Sequence, residues 1–333
     1  MERRGGKWLK YRYIGLARIC AGRGARTYLS EVCQKGVSVL DAAYRTGFER
    51  CLLLRSTTLK QSKYSAEFES LLRDYFDAYG FLSHPNFPAW WADHTDYRVA
   101  YAFNVFIPWC QGLIDLESAD VLEIGCGTGS STVALAAWCK SVTACDIHSA
   151  SLAVARKRLF EDGFADKVEF LKTAPGFDEL LGGAKKFDVV VLYAVLEHML
   201  PYERAKLFDV IWSVLRPHGK VVIYETPNRL WPWDDHTTGL LLWSWLPPQW
   251  ALRYGKWRKR FTHDTDLEHM YRQGYGVAYW ELLKWLRGKK CEVHWKYIRE
   301  PFIIRTLIRM VVHLCSTPRW GFTQYLNLVI TKL

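Results

Sequence analysis

The sequence predicts an α/β fold: a seven-stranded, mostly parallel, doubly wound sheet, with an N-terminal helical extension and an aromatic-rich insert after the fifth strand. Three observations lead there. Short β-rich apolar runs alternate with helical periods from about residue 117, a glycine-rich turn leaves the first run and opens a helix, and the alternation stops after Glu225. Strands alternating with helices over short links pair in parallel and are covered on both faces.

Before the alternation, residues 1–30 form a basic segment and residues 31–116 a helical extension. The extension has amphipathic periods near Glu31–Leu54, Ser65–Tyr79 and Tyr97–Cys110, and a Pro- and aromatic-rich loop at 83–94. The third unit, 117–333, starts with a strand at Val121–Ile124 and a helix at Ser130–Cys139. A strand at Ser141–Cys145, a helix at Ser149–Phe160 and a strand at Lys167–Leu171 follow. The fourth strand is Phe187–Leu192, followed by a helix at Tyr202–Leu215, a turn at Arg216–Lys220 and the fifth strand, Val221–Glu225. Residues 228–274 read as an irregular insert holding Trp231, Trp233, Trp243, Trp245, Trp250 and Trp257. Helical periodicity returns at Val277–Arg287 and Phe302–Leu314, around a strand at Cys291–Tyr297. A last strand at Tyr325–Thr331 completes an antiparallel terminal pair.

Of the 333 residues, 50% are hydrophobic and 24% charged, which excludes a disordered chain. No window offers the roughly 18 uninterrupted apolar residues of a spanning helix, and the basic N-terminus lacks the long apolar core of a secretory signal. Nine cysteines form no C-x-x-C pair, so reduced core thiols in a cytoplasmic protein are expected, with no metal site. The net charge of +11 is uneven. Eight basic residues face Glu2 alone in 1–30, sixteen face six acidic ones in 251–333, and the middle is net acidic. Basic ends suit an anionic partner such as nucleic acid or phospholipid headgroups, or they are simply solvated.

The segment Val121-Leu-Glu-Ile-Gly125-Cys-Gly127-Thr-Gly129-Ser-Ser-Thr132 carries the most information. A glycine loop between strand and helix lets a ligand approach the backbone closely. A dinucleotide fingerprint would need glycine at 130, where serine stands, which argues against an oxidoreductase. The G-x-G-x-G spacing, with Glu123 two places before Gly125, resembles motif I of the class I S-adenosylmethionine-dependent methyltransferases. The resemblance runs from about 117 to 226. Asp146 ending the second strand, Phe187–His198 as fourth strand and following loop, Leu215–Ile223 as the turn into the fifth, and the terminal strand pair also match.

The resemblance implies a Rossmann-like methyltransferase fold and S-adenosyl-L-methionine as cofactor. Gly125, Cys126, Gly127 and Gly129 would form the cradle, Asp146 would take the ribose hydroxyls, and Ile147 would pack on adenine. Glu123 would lie beneath the amino acid moiety, with Tyr193 and Ala194 at the methionine end. The stretch Lys172–Pro175 departs from the family's adenine-contacting acidic residue, and no residue is assigned there.

Methyl transfer from a sulfonium chiefly requires alignment of nucleophile and methyl, sometimes with proton removal. His198, Glu197 and His236 are the candidate catalytic groups. The Glu-His pair also fits a structural role, and His236 a turn histidine beside its aspartates. The insert 228–274 and the loop 83–94 are expected to form an aromatic lid over a small-molecule, glycan or lipid-linked acceptor. An RNA methyltransferase is the rival reading, although Leu192-Tyr-Ala-Val195 lacks the N/D-P-P-Y/F grip on a flipped base. A non-catalytic scaffold is the other, which the intact glycines and Asp146 disfavour. The run Leu240–Trp250, followed by the basic Tyr254–Phe261, also suits a peripheral segment on anionic membrane.

Overall fold

The computed structural model describes residues 64–175, 177–181, 185–295 and 323–333. All of them belong to one compact unit, Lys63–Leu333. The basic segment 1–30 and the helices expected at Glu31–Leu54 and Phe302–Leu314 lie outside the described residues.

The first helix, α1 (Ala66–Ala78), starts where the Ser65 side chain accepts a hydrogen bond from the Phe68 N–H. Its buried stripe is Phe68, Leu72 and Phe76, four residues apart, set against Val154. Each such side chain contributes about 1.5–3 kcal/mol on leaving water. The expected aromatic loop at 83–94 is largely helical instead. Helices α2 (Phe87–Ala92), α3 (Arg98–Tyr101) and α4 (Ile107–Gln111) run on through π-helical turns at Asp93–Tyr97 and Ala102–Phe106. Pro88 lies in the first turn of α2, where its missing N–H costs nothing, so the proline that suggested a loop starts a helix.

The sheet is built as the periodicity predicts. Strands β1 (Asp120–Ile124), β2 (Ser141–Asp146), β3 (Val168–Lys172), β4 (Phe187–Tyr193) and β5 (Leu215–Pro227) pair in parallel. Strands β6 (Cys291–Trp295) and β7 (Tyr325–Lys332) close one edge antiparallel, giving the order β3-β2-β1-β4-β5-β7-β6. Helices α5 (Ser130–Trp138), α6 (Ser149–Glu161), α7 (Asp178–Leu181) and α8 (Pro201–Val214) connect the parallel strands. The turn at Arg216–Lys220 lies within β5. Leu215 pairs with Phe187 and Lys220 with Val189, so Arg216–Gly219 bulge outward, with His218 in the left-handed region at φ 60°. The main core joins Leu122, Ile124, Val190, Leu192 and Ile223 of the sheet to Leu207, Phe208 and Ile211 of α8.

The insert is also more regular than expected. It contains α9 (Pro248–Trp257) and α10 (Leu267–Arg272), and α11 (Tyr279–Leu286) follows. Its small core gathers Leu240, Trp243, Ala251, Phe261, Met270 and Tyr275, with the Trp243 indole N–H donating to the Ala251 carbonyl at 2.8 Å. Four tryptophans, at 233, 245, 250 and 257, stay exposed. No helix among the described residues is long and apolar enough to cross a membrane. The described cysteines, at 110, 126, 139, 145 and 291, are all free thiols, and the first four are buried.

Candidate functional site

At the carboxyl ends of β1 and β2, the chain turns through Gly125, Cys126, Gly127, Thr128 and Gly129 into α5. The space beyond the strand ends is the usual ligand position in an open α/β sheet, and the direction of the crossovers reverses here between β1 and β4. Gly127 has φ 52°, and a Cβ built there would meet nothing within 4 Å, so the loop presents bare backbone to open space.

Asp146, at the end of β2, is almost fully buried and closes the floor of the crevice. Its Oδ2 accepts the Gly127 N–H at 2.9 Å and its Oδ1 the His148 N–H at 2.8 Å. Each oxygen keeps a lone pair for a further donor. The next side chain, Ile147, is 36% exposed and offers an apolar face beside the carboxylate. Glu123 is buried beneath the loop, with Oε1 accepting the Ser131 hydroxyl at 2.5 Å and Oε2 the Thr132 hydroxyl at 2.6 Å. It braces the first turn of α5, and burial pushes its carboxyl up to about 7. Close by, the Ser130 hydroxyl is buried with no hydrogen-bond partner.

The helical extension is fastened to the loop from the other side. Arg158 of α6 is fully buried and donates to the carbonyls of Thr128 and His94 and to the Tyr64 hydroxyl, each at 2.7 Å. The His94 Nδ1 lies 3.0 Å from the Thr128 hydroxyl. Near the end of β4, the Tyr193 ring packs against Phe106 and meets Tyr224 edge-on, at centroid distances of 5.0 and 5.1 Å. Ala194 holds φ 52°, an uncommon left-handed conformation fixed by its N–H donating to the Tyr224 carbonyl at 2.8 Å.

Beyond Ala194 the chain forms the turn Leu196–His198. Here Glu197, His198 and His236 converge: each imidazole Nε2 faces Glu197 Oε1, at 3.9 Å for His198 and 4.0 Å for His236. Glu197 is completely buried. Burial pushes its carboxyl up to about 8, against smaller pulls from its own backbone N–H, Arg204 and Thr226. Neither carboxylate oxygen meets a donor in hydrogen-bond geometry. The His198 side chain is 45% exposed, so water offsets much of the downward push that surrounding protein exerts on its imidazole.

Residues 121–219 match the model of a family described as methyltransferase domain. Over those residues the chain carries a methyltransferase domain on a seven-stranded sheet of the expected order. Similar to it are ubiquinone biosynthesis O-methyltransferases from Pseudomonas aeruginosa, 30% identical over 141 residues, and Azotobacter vinelandii, 30% identical over 142 residues. Each match takes in 42% of this chain and 58% of the relative, so the chain spans little more than half the length of these curated relatives. Among solved structures, magnesium protoporphyrin IX methyltransferase from Synechocystis PCC 6803 is 15% identical. That match covers 80% of this chain and all of the other, with a TM-score of 0.46. An N-methyltransferase from Bradyrhizobium japonicum WM9 is 20% identical over 48% of this chain and 72% of the other, with a TM-score of 0.33.

On this fold the residues singled out by sequence fall into two groups. Glu123, Gly125, Cys126, Gly127, Gly129, Asp146 and Ile147 gather where β1 and β2 end. Tyr193, Ala194, Glu197 and His198 follow along β4 and its loop, and the insert brings His236 to Glu197 across 39 residues of sequence. The two groups touch, because a Cβ on Gly125 would stand 2.6 Å from the Val195 side chain. Sequence reasoning missed Arg158, His94, Tyr101 and Tyr224. Arg158 sits within Arg156-Lys157-Arg158, where nothing in the pattern marks one of three cations as buried. Tyr101 and Tyr224, whose hydroxyls are 3.3 Å apart, are brought together only by tertiary packing.

Proposed function

We propose that this protein transfers a methyl group from S-adenosyl-L-methionine to an oxygen, nitrogen or carbon of a small-molecule or lipid-linked acceptor. The observation that carries the reading is the Gly127–Asp146 bridge at the strand ends, open to solvent on the glycine side. The residues present fit the cofactor. Bare backbone at Gly127 admits it, Asp146 keeps lone pairs for two ribose hydroxyls, Ile147 offers an apolar face for adenine, and the unpartnered Ser130 hydroxyl supplies a further polar group. When bound, the cofactor supplies an activated methyl group on a positively charged sulfur.

The chain's own part is to bind, orient and exclude water. Tyr193 and Ala194 border the end of the crevice nearest the Glu197–His198 turn, on the side where an acceptor would enter. For a hydroxyl acceptor, the Nε2 of His198 or His236 takes the departing proton. The exposed Trp233 and the insert around it cover that side as a lid. Radiolabelled methyl transfer into separated lipid, glycan and RNA fractions tests the assignment: label in RNA alone would replace the acceptor class, and label in none would remove the activity.

A second reading concerns where the enzyme works. On α9, Trp250, Arg253 and Trp257 share one face, and the two indoles are 60% and 73% exposed. The Arg253 and Arg258 guanidiniums each lie 5.6 Å from the centre of a neighbouring indole ring. Exposed indoles interleaved with cations suit the interface of an anionic membrane, where a lipid-linked acceptor would be found. Flotation with phosphatidylglycerol vesicles at low salt tests this. Binding lost on Trp250→Ser with Trp257→Ser supports it, and no binding by the parent removes it.

A further inference from the structure

The hydrogen bonds around the Glu197 turn fix the protonation pattern of its two histidines. His198 Nδ1 lies 2.8 Å from the Arg272 carbonyl. A carbonyl only accepts, so the proton is on Nδ1 and Nε2 carries a lone pair in the neutral ring. The Thr237 hydroxyl commits its single proton to the carbonyls of Gln273 and Gly274, at 3.1 and 2.8 Å. It therefore accepts from His236 Nδ1 at 3.1 Å, and the lone pair of His236 is also on Nε2. Both Nε2 atoms face the same oxygen of a fully buried carboxylate, neither oxygen of which meets a donor in hydrogen-bond geometry. Three electron-pair donors thus point at one space.

We propose that Glu197, His198 and His236 bind a divalent transition-metal ion, with zinc the natural first choice. The three ligand atoms lie within 4.8 Å of one another. Bond lengths of about 2.0–2.2 Å to nitrogen and carboxylate oxygen need only a small inward movement of the two imidazoles. Two imidazoles with one carboxylate favour zinc or a neighbouring first-row ion over magnesium or calcium, which prefer all-oxygen sites. Three protein ligands leave coordination positions for water or an acceptor oxygen.

The surroundings are built for this geometry. Each histidine is held through Nδ1 by an oxygen acceptor, the arrangement that orients imidazole ligands in metal sites. The His198 anchor, the Arg272 carbonyl, and the two carbonyls that hold the His236 anchor Thr237 come from one short stretch at the end of the insert, Arg272–Gly274. Gly274 also makes room for His236, since a Cβ there would stand 2.5 Å from the ring, and its φ of 112° suits no other residue well. Arg272 is itself fixed by paired bonds of 2.7 Å to Glu203. The insert thereby delivers one ligand, His236, and orients both imidazoles.

The use of the ion rests on the methyl-transfer reading. With both Nε2 lone pairs on the ion, the ion replaces them in activating the acceptor: a bound hydroxyl would release its proton to solvent water and be held in line for attack. Binding of the ion does not depend on that reading, and the two are tested apart. Full-length protein stripped with a chelator is titrated with zinc chloride by calorimetry, and uptake of S-adenosylmethionine is measured on the same samples. One equivalent of zinc should bind. Glu197→Gln and His236→Gln should each weaken it by about 100-fold or more, and Thr237→Ala, which removes only an anchor, by about 10-fold. His269→Gln, at an exposed histidine, should change nothing. Because Glu197→Gln keeps the shape of the side chain, retained cofactor uptake shows that this variant is folded. Absence of stoichiometric zinc binding, or affinity indifferent to both ligand substitutions, overturns the site. Zinc binding intact in a protein that takes up no S-adenosylmethionine would overturn the methyl-transfer reading instead.

Discussion

The Arg158 guanidinium donates through Nε to the carbonyl of Thr128 at 2.7 Å, from a position with no access to solvent. With its bonds to His94 and Tyr64, this one side chain ties the glycine loop to the helical extension. The same guanidinium lies over the Tyr64 and Phe68 rings at 4.9 and 4.8 Å. Replacement by methionine keeps the bulk and leaves two buried carbonyls and the half-buried Tyr64 hydroxyl without their donor. A loss of about 2–4 kcal/mol in urea-induced unfolding is expected. Arg158→Lys, which cannot span three acceptors, should recover little of it. A methionine variant as stable as the parent would show that the three bonds contribute nothing net.

Glu123 makes stability depend on pH in a direction opposite to most carboxylates. Burial raises its folded pKa from 4.5 to about 7, so the folded protein holds a proton that the unfolded chain has released between those values. Stability from this group is complete below about pH 4.5 and is lost as pH climbs to about 7, by on the order of 3 kcal/mol. Thermal midpoints of the parent and Glu123→Gln, compared across this window, check it. The parent should fall relative to the variant as pH rises, and parallel profiles would contradict the assignment.

The tryptophan of the insert nearest His236 separates acceptor handling from cofactor handling. Trp233 is 46% exposed and forms an isolated bridge with Leu241, away from the glycine loop in sequence and strand. Trp233→Ala should raise the acceptor KM several-fold while leaving S-adenosylmethionine affinity nearly unchanged. Equal weakening of both would count against an acceptor lid.

The bare side of the glycine loop has a steric consequence. With open space beyond Gly127 and φ at 52°, Gly127→Ala should cost only the left-handed backbone strain, about 1–2 kcal/mol. Gly127→Trp should cost similar stability yet fill the crevice. Chemical unfolding of both variants checks this, and a tryptophan variant far less stable than the alanine one would place the added ring inside packed protein.

The sheet could be read from sequence because its information is local. Apolar runs such as Val121–Ile124 and Phe187–Leu192, each followed by a helical period, report strand, helix and pairing sense together. The glycine loop and Asp146 were legible for the same reason, one at a strand end and the other closing the next strand. The 83–94 segment misled because Pro85 and Pro88 suggest breaks, whereas proline is accepted in the first turn of a helix. The insert misled because tryptophans spaced irregularly hide the α9 face formed by Trp250, Arg253 and Trp257. The meeting of His236 with Glu197 had no local signature, since it depends on where Arg272–Gly274 brings the insert back.

S-adenosylmethionine uptake by the full chain, measured by calorimetry on the parent, Gly127→Ala and Gly127→Trp, tests the central claim most directly. Saturable one-to-one binding by the parent, weakened in the alanine variant and abolished in the folded tryptophan variant, is the predicted result. No uptake by the parent, or uptake that the tryptophan leaves untouched, would contradict it.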